Sequence, residues 1–295
     1  MDVLKSPVAM QRWAVASLLG NITLIITGGL VRVTGSGLGC STWPQCEPGS
    51  YVPHPEAGAH AIVEFGNRML TFVLIVLAVG TFLAAWYARD AAGQPRRDLR
   101  RLAFVAAIGV PIQAVIGGFS VLSNLNPWVV SLHLLASVAM VVVCVALIHR
   151  AYAVGPAAAP RRVAWLAQAV FGLGMVAVVL GTVVTGSGPN SGDGGAERSG
   201  LSPELTARVH SISVWLTLLA LAGLLILAHR IPAVWRAGVV VAVISVAQGA
   251  IGYIQYFLGN PPVLVAFHMA GTALFTAAVA HLWLLTPIAG RTSTA

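Results

Sequence analysis

Residues 127–149 read PWVVSLHLLASVAMVVVCVALIH, a run of 23 residues without Asp, Glu, Lys or Arg. A transmembrane helix needs about 20 mainly apolar residues to cross the hydrocarbon core of a bilayer. Seven further apolar stretches are long enough, near residues 14–34, 60–87, 101–122, 163–186, 204–228, 234–257 and 262–286. The sequence therefore predicts an all-α membrane protein with eight transmembrane helices.

The composition excludes an ordinary soluble protein. Of the 295 residues, 57% are hydrophobic and only 9% are charged, whereas soluble domains carry about 25% charged residues. The net charge of +8 is compatible with nucleic-acid binding only if the basic residues share a surface. Instead they are confined to short segments beside and between the predicted spans: Lys5, Arg12, Arg89, Arg96, Arg97, Arg100, Arg101, Arg150, Arg161, Arg162, Arg230, Arg236 and Arg291. We therefore expect no nucleic-acid partner.

The distribution of these basic residues predicts the orientation in the membrane. Cytoplasmic loops carry the excess of Lys and Arg, so both termini and the basic loops are predicted to be cytoplasmic. Cys40 and Cys46 then lie on the outer side, where an oxidising compartment permits a disulfide. His149, His229 and His281 end their spans among the inner arginines, which favours solvated roles at the inner interface.

Three sequence matches indicate an internal repeat. Thr-Gly-Ser-Gly occurs at 34–37 and 185–188, Gln-x-x-x-Gly at 113–117 and 248–252, and a histidine at 133 and 268. The matches keep their order along the chain, so a four-helix unit is predicted to be duplicated with parallel topology. We expect two tandem, pseudo-two-fold related four-helix bundles, formed by residues 1–155 and 156–295.

Ionisable and strongly polar side chains inside the spans are costly in lipid and mark candidate functional sites. They are Glu64, Asn67, Arg68, His133, Arg208, His210 and His268. At 1.5 Å per residue, the asparagine and the three histidines lie about 9–12 Å from the outer ends of their spans. Two imidazoles facing each other across a four-helix bundle can ligate a haem iron. Arg68 and Arg208 could pair with haem propionates, and a structural role for the histidines remains the alternative.

One combination of motifs carries a family resemblance. It comprises residues 28–40, GGLVRVTGSGLGC, then Cys46, the Glu64-x-x-Asn67-Arg68 triplet, and the histidines at 133, 210 and 268. With these motifs the sequence resembles the haem A synthases, eight-span membrane enzymes of terminal-oxidase assembly. The resemblance extends over essentially the whole chain.

The resemblance implies an oxidoreductase that converts a ring methyl of haem O to a formyl group. It implies a resident haem b in the second half, held by His210 and His268 with Arg208 nearby, and haem O as substrate in the first half, beside His133, Asn67 and Arg68. Glu64 corresponds to the functionally important acidic residue of the family, and Cys40 and Cys46 to its outer-loop disulfide pair. A purely structural pairing of Glu64 with Arg68 at i, i+4 remains the alternative.

The same resemblance implies a bacterial cell membrane as the location and membrane lipid as the surroundings. The haem O-forming farnesyltransferase and the terminal oxidase are the implied protein partners.

Two departures from the family pattern matter. Asn67 occupies a position where many members have histidine, so we expect the substrate iron to be five-coordinate or weakly ligated on that side. The outer loop of the second half lacks a second cysteine pair. A membrane cytochrome b that only carries electrons is the main alternative function, and a transporter with a duplicated fold is a weaker one.

Overall fold

A computed structural model describes residues 6–54, 56 and 58–288, and this part of the chain folds into helices joined by loops. The helices are α1 (Pro7–Val33), α2 (Gly58–Tyr87), α3 (Arg97–Leu122), α4 (Pro127–Ala151), α5 (Arg161–Ser187), α6 (Pro203–Ala228), α7 (Pro232–Phe257) and α8 (Pro262–Leu285). Each is long and apolar enough to cross a membrane. The all-helical fold with eight spans is thus confirmed, and the protein is a multi-pass membrane protein.

Most helices begin where the sequence places a cap or a proline. Ser202 accepts a hydrogen bond from Leu205 N just before α6, as an N-cap serine should. The first span was predicted to begin near residue 14, which is wrong by seven residues. The Oγ of Ser6 caps α1 by accepting from Ala9 N, and Pro7 occupies the first turn, where a missing N–H has no cost. These two residues begin the helix one turn before the polar pair Gln11 and Arg12.

Contacts between helices divide the chain into two groups of four. In the first group, α1 contacts α2, α2 contacts α3, α3 contacts α4, and α4 contacts α1. In the second group, α5, α6, α7 and α8 contact one another in the same cyclic order. Contacts of α8 with α1 and α4, and of α4 with α5, join the two groups. The pseudo-two-fold relation of the halves stays a prediction, as does the orientation of the described loops in the membrane; Lys5 and Arg291 lie outside the described residues.

Small side chains, mainly alanine and valine, make up much of the interior, and many large apolar side chains face outward. Ala14 and Ala85 are fully buried in the first group, whereas Leu219 and Ile226 are 72% and 70% exposed. Small residues let helices approach closely within a bilayer. The many exposed large apolar side chains agree with a lipid environment.

The histidines at the far ends of α4 and α8 depart from the sequence prediction. His149 is buried, and its Nε2 lies 2.8 Å from Nδ1 of His281. The expected solvated role is therefore wrong for His149, because α4 and α8 pack together and bring the two imidazoles into one hydrogen bond. His229, in contrast, is exposed, and its Nδ1 lies 2.8 Å from the Ile226 carbonyl.

The loop after α1 is closed by a disulfide between Cys40 and Cys46. It packs tightly against the start of α2: a Cβ on Gly39 would lie 2.7 Å from the backbone nitrogen of Ala61. Gly37 N also donates to the Gly192 carbonyl over 2.8 Å, which links this loop to the loop after α5. This hydrogen bond therefore joins the loop after α1 in the first half to the loop after α5 in the second.

Candidate functional site

The first group of helices encloses a cavity of about 580 Å³, which lies within the usual size of ligand pockets. Its walls are mainly apolar, with glycines on α1 and α3. The polar residues proposed from the sequence for the first half all line it: Glu64, Asn67, Arg68 and His133. Thr182, Thr185, Ser191, Gly192 and Met269 from the second half complete the wall. The cavity therefore draws on both halves of the chain, although its centre is in the first.

Glu64 and Arg68 form a buried ion pair one helical turn apart on α2. Both Nε and Nη2 of Arg68 donate to Oε1 of Glu64, over 3.1 and 2.6 Å. The other carboxylate oxygen, Oε2, accepts from the backbone N–H of Cys40 over 2.7 Å. Only 6% of the Glu64 side chain and 19% of the Arg68 side chain are exposed. The carboxylate is thus held rigidly between α2 and the disulfide loop, at the wall of the cavity.

The remaining donors of Arg68 organise the disulfide loop. Its Nη1 donates to the carbonyls of Thr42 and Gln45 over 3.0 and 3.1 Å, and its Nη2 to that of Cys40 over 3.3 Å. A guanidinium has five N–H groups, and all five of these are now engaged. A haem propionate could bind Arg68 only by displacing one of these bonds, so the geometry does not favour the propionate role expected from the sequence.

His133 faces the cavity from α4 and rests on α3. A Cβ on Gly117 would lie 3.1 Å from Cε1 of the imidazole, so any larger residue would press on the ring. The Nδ1 atom is buried and makes no hydrogen bond to any described residue. Asn67 lies on α2 with its Oδ1 accepting from Thr27 Oγ1 over 2.8 Å. The first half therefore offers one imidazole and one amide to a bound ligand.

The second half brings two imidazoles together. The ring centres of His210 and His268 are 6.4 Å apart, and the ring planes are nearly perpendicular, at 84°. Two metal–imidazole bonds of about 2 Å, plus about 1 Å from each nitrogen to its ring centre, require about 6 Å between ring centres. The spacing of this pair therefore fits axial ligation of a single iron.

The hydrogen bonds of these histidines also fit a metal site. Nδ1 of His210 lies 2.9 Å from the Ala177 carbonyl, which can only accept, so Nδ1 carries the proton and Nε2 is left as a free lone pair. A second hydrogen bond of this kind commonly fixes the tautomer of a metal-binding histidine. Nδ1 of His268 is buried and makes no hydrogen bond within the described chain. Arg208, two residues before His210, is exposed and has no hydrogen-bond or ion-pair partner among residues 6–54, 56 and 58–288.

One cavity residue was not predicted from the sequence. Arg32, near the end of α1, lines the first-half cavity and donates to backbone carbonyls of the second half. An arginine at the end of a span is typical of an interfacial anchor, and the motif of residues 28–40 contains Arg32 without indicating a role for it.

Comparisons with known proteins agree with this architecture. The profile of the COX15-CtaA family, described as a cytochrome oxidase assembly protein, matches residues 11–189, which include the first-half site and end before His210. Proteins named haem A synthase from Listeria welshimeri and Listeria monocytogenes are 30% identical over 126 residues, 42% of this chain and 39% of theirs. A haem A synthase from Lysinibacillus sphaericus is 32% identical over 129 residues, with the same coverage. The alignments thus span about two fifths of these relatives. Because the profile covers more than half of the chain, this protein belongs to the COX15-CtaA family of cytochrome oxidase assembly proteins.

Proposed function

We propose that this protein is a haem A synthase, an oxidoreductase that converts a ring methyl of haem O to a formyl group with a resident haem b as redox cofactor. The observation that carries the proposal is the contrast between the two halves. The second half presents two imidazoles 6.4 Å apart, whereas the first presents a single imidazole and a carboxylate at a cavity. One site suits a fixed cofactor and the other a substrate, and relatives named haem A synthase support the assignment.

In this proposal, His210 and His268 hold haem b, and Arg208 pairs with one of its propionates. The hydrogen bond from His210 Nδ1 to the Ala177 carbonyl orients the ring and leaves Nε2 for the iron. A bis-histidine haem has no open coordination position and supplies one-electron transfer. Two ligands from facing helices keep this cofactor in place through repeated turnovers.

Haem O occupies the first-half cavity, with His133 on its iron. The apolar wall takes the macrocycle and its hydrocarbon tail, since burial of apolar surface drives such binding. Asn67 is a poor ligand for haem iron compared with imidazole and is already bonded to Thr27. A substrate held by one axial ligand can leave after reaction, whereas a haem held by two cannot do so readily.

Glu64 is the residue that we assign to the chemistry of the methyl group. Its carboxylate lines the cavity and is held by hydrogen bonds from Arg68 and Cys40. Where it faces the cavity, it can orient a water molecule or accept a proton. Arg68 is then a positioning residue that holds Glu64 and the disulfide loop. The structural alternative, in which the ion pair only stabilises α2, uses the same contacts and must be separated by experiment.

The proposal includes a location and partners. The protein lies in a bacterial cell membrane with both termini cytoplasmic and the Cys40–Cys46 loop on the outer side, as the positive-inside rule predicts. The haem O-forming farnesyltransferase supplies the substrate, and a terminal oxidase receives the product. A substrate with a long hydrocarbon tail would reach the cavity through the lipid.

The decisive experiment is reconstitution of the purified protein with haem O, followed by the pyridine haemochrome spectrum of the extracted haem. We expect formyl-haem from the wild type and none from Glu64→Ala or His133→Ala, with haem b retained in both variants. Glu47→Gln is the matched control, because Glu47 is a carboxylate of the same outer-end loop whose ion-pair partner is the exposed His54. A wild type that yields only b-type haem would reject the synthase and favour the electron carrier.

A further inference from the structure

Arg32 reaches from the first half of the chain to the second. It lies in the last turn of α1, and its Nε donates to the Asn190 carbonyl over 2.6 Å. Its Nη2 donates to the Thr185 carbonyl over 2.9 Å. These two bonds fix the guanidinium at the wall of the first-half cavity. Three of its five N–H groups make no bond to any described residue.

The charge of Arg32 has no counterion in the part of the chain that the structure describes. No carboxylate there lies within 4.0 Å of it, whereas Arg68 and Arg96 both have acidic partners. Arg32 instead interacts electrostatically with Arg198, which is also positive. Arg198 donates a hydrogen bond to the Gly188 carbonyl. A cation inside a membrane protein normally pairs with an opposite charge. The outer end of the cavity is therefore positive and uncompensated.

The contrast with Arg68 shows which arginine is available to a ligand. Both line the cavity, but all five N–H groups of Arg68 are used by Glu64 and the disulfide loop. Arg32 keeps its Nη1 group and one Nη2 hydrogen. A guanidinium with adjacent free N–H groups is suited to a carboxylate, which it can bind with two parallel hydrogen bonds.

We propose that Arg32 binds a carboxylate of the ligand in the first-half cavity, which is a propionate of haem O if the proposed function is correct. Arg198 adds positive potential at the rim without touching the ligand. Because Arg32 is held by carbonyls of Thr185 and Asn190, the second half of the chain positions the substrate of the first half. This contact fixes one edge of the macrocycle at the outer end of the cavity, while His133 fixes its iron.

The test compares two probes that differ only in the carboxylates. Purified protein that retains its own haem b is titrated in a neutral detergent with iron protoporphyrin IX or with its dimethyl ester. Binding is followed by the Soret difference spectrum, and titration of His133→Ala identifies the signal of the first-half site. We expect Arg32→Gln to weaken binding of the diacid about tenfold to a hundredfold, as for loss of a hydrogen bond between charged groups. Binding of the diester should change less than about twofold, because its ester groups carry no charge for Arg32 to bind.

Two further variants separate a binding role from a structural one. Arg32→Lys keeps the charge and should recover part of the preference for the diacid. Arg101→Gln is the matched control, since Arg101 is an exposed arginine near the start of α3, far from the cavity glycines at the other end of this helix. The Arg101→Gln variant should bind both probes as the wild type does. If Arg32→Gln weakens both probes equally, Arg32 only holds the loop after α5, and the proposal is overturned.

Other outcomes also decide the question. A wild type that binds diacid and ester equally would overturn the carboxylate site, whereas the proposed function would still be judged by formation of haem A. A wild type that takes up no second haem at all would reject the proposed substrate site itself. If phosphatidylglycerol vesicles abolish the preference for the diacid, Arg32 serves a lipid phosphate, and the assignment to a propionate is wrong.

Discussion

Replacement of Glu64 by glutamine separates its chemical role from its structural one. The glutamine side chain has the same shape, but it carries one acceptor oxygen and an NH₂ donor in place of two acceptor oxygens. In the wild type, Oε1 accepts from Arg68 and Oε2 from Cys40 N. In either orientation of the amide, the glutamine NH₂ group faces an N–H donor, which is either Arg68 or the backbone of Cys40. Glu64→Gln therefore loses one set of hydrogen bonds as well as the negative charge.

The expected loss of stability follows from these contacts. A buried donor left without an acceptor costs about 1–3 kcal/mol, and removal of one partner of a buried ion pair costs about 3–5 kcal/mol. Arg68 keeps three backbone carbonyls as acceptors, which reduces the second cost. We expect Glu64→Gln to lower the free energy of unfolding by about 2–4 kcal/mol, without loss of haem b from the second half.

Arg68→Gln is the comparison variant that separates loss of the ion pair from loss of the carboxylate. It breaks the same ion pair but keeps the carboxylate, and it leaves the carbonyls of Thr42, Gln45 and Cys40 without their donors. Thermal melting in detergent and formation of haem A from haem O are measured for both variants. If Glu64 acts in the reaction, Glu64→Gln loses product formation more completely, whereas Arg68→Gln is the less stable protein. Equal activity losses that follow the melting temperatures, or a fully active Glu64→Gln, would refute the chemical role.

Three further substitutions test other parts of the site. Replacing Cys40 by serine opens the loop closed by its bond to Cys46 and should lower the free energy of unfolding by about 2 kcal/mol. The melting temperature should fall, and adding reductant to the wild type should lower it by the same amount. Gly252→Ala places a Cβ 3.2 Å from Cε1 of His268 and should displace the imidazole, reducing the haem b content and altering its low-spin absorption spectrum. Asn67→His and Asn67→Ala should both still bind haem O, with a six-coordinate spectrum only in the histidine variant; loss of binding in the alanine variant would contradict a substrate iron held from one side.

The transmembrane helices could be predicted from sequence because the bilayer imposes a simple rule. Runs of about 20 apolar residues bounded by prolines or polar caps leave few alternatives, and most predicted ends fall within a few residues of the observed ones. The exception was α1, where Gln11 and Arg12 interrupt the apolar run and hide the first turn, which Ser6 caps and Pro7 begins. Hydropathy detects the apolar part of a helix, whereas the ends depend on backbone hydrogen bonds.

The site was predictable only where its residues follow helical periodicity. The facing of His210 and His268 follows from their equal depth on α6 and α8, which lie diagonally opposite each other in the second group, and the structure places their rings together. The bonds of Arg68 and Arg32 do not follow from any spacing, because their acceptors are carbonyls of irregular loops. For Arg32 the acceptors lie 153 and 158 residues away in the chain. Such contacts depend on how the two halves meet, which no local pattern encodes.

The surroundings of His133 and His268 are equivalent in the two halves, and the difference lies in the helix opposite each histidine. Gly117, His133 and Ser137 recur, each 135 residues later, as Gly252, His268 and Thr272. In both sets the imidazole rests on the glycine, and the hydroxyl donates to the histidine carbonyl over 3.1 Å.

The helix opposite each set breaks this equivalence. It supplies His210 in the second half, where the two rings come within ligation distance. In the first half it supplies Asn67, whose amide is tied to Thr27, and Glu64, which lines the cavity. Under the proposed function, this recurring set of residues would hold a cofactor where α6 adds a second imidazole, and a substrate where α2 adds a carboxylate and leaves the second position free.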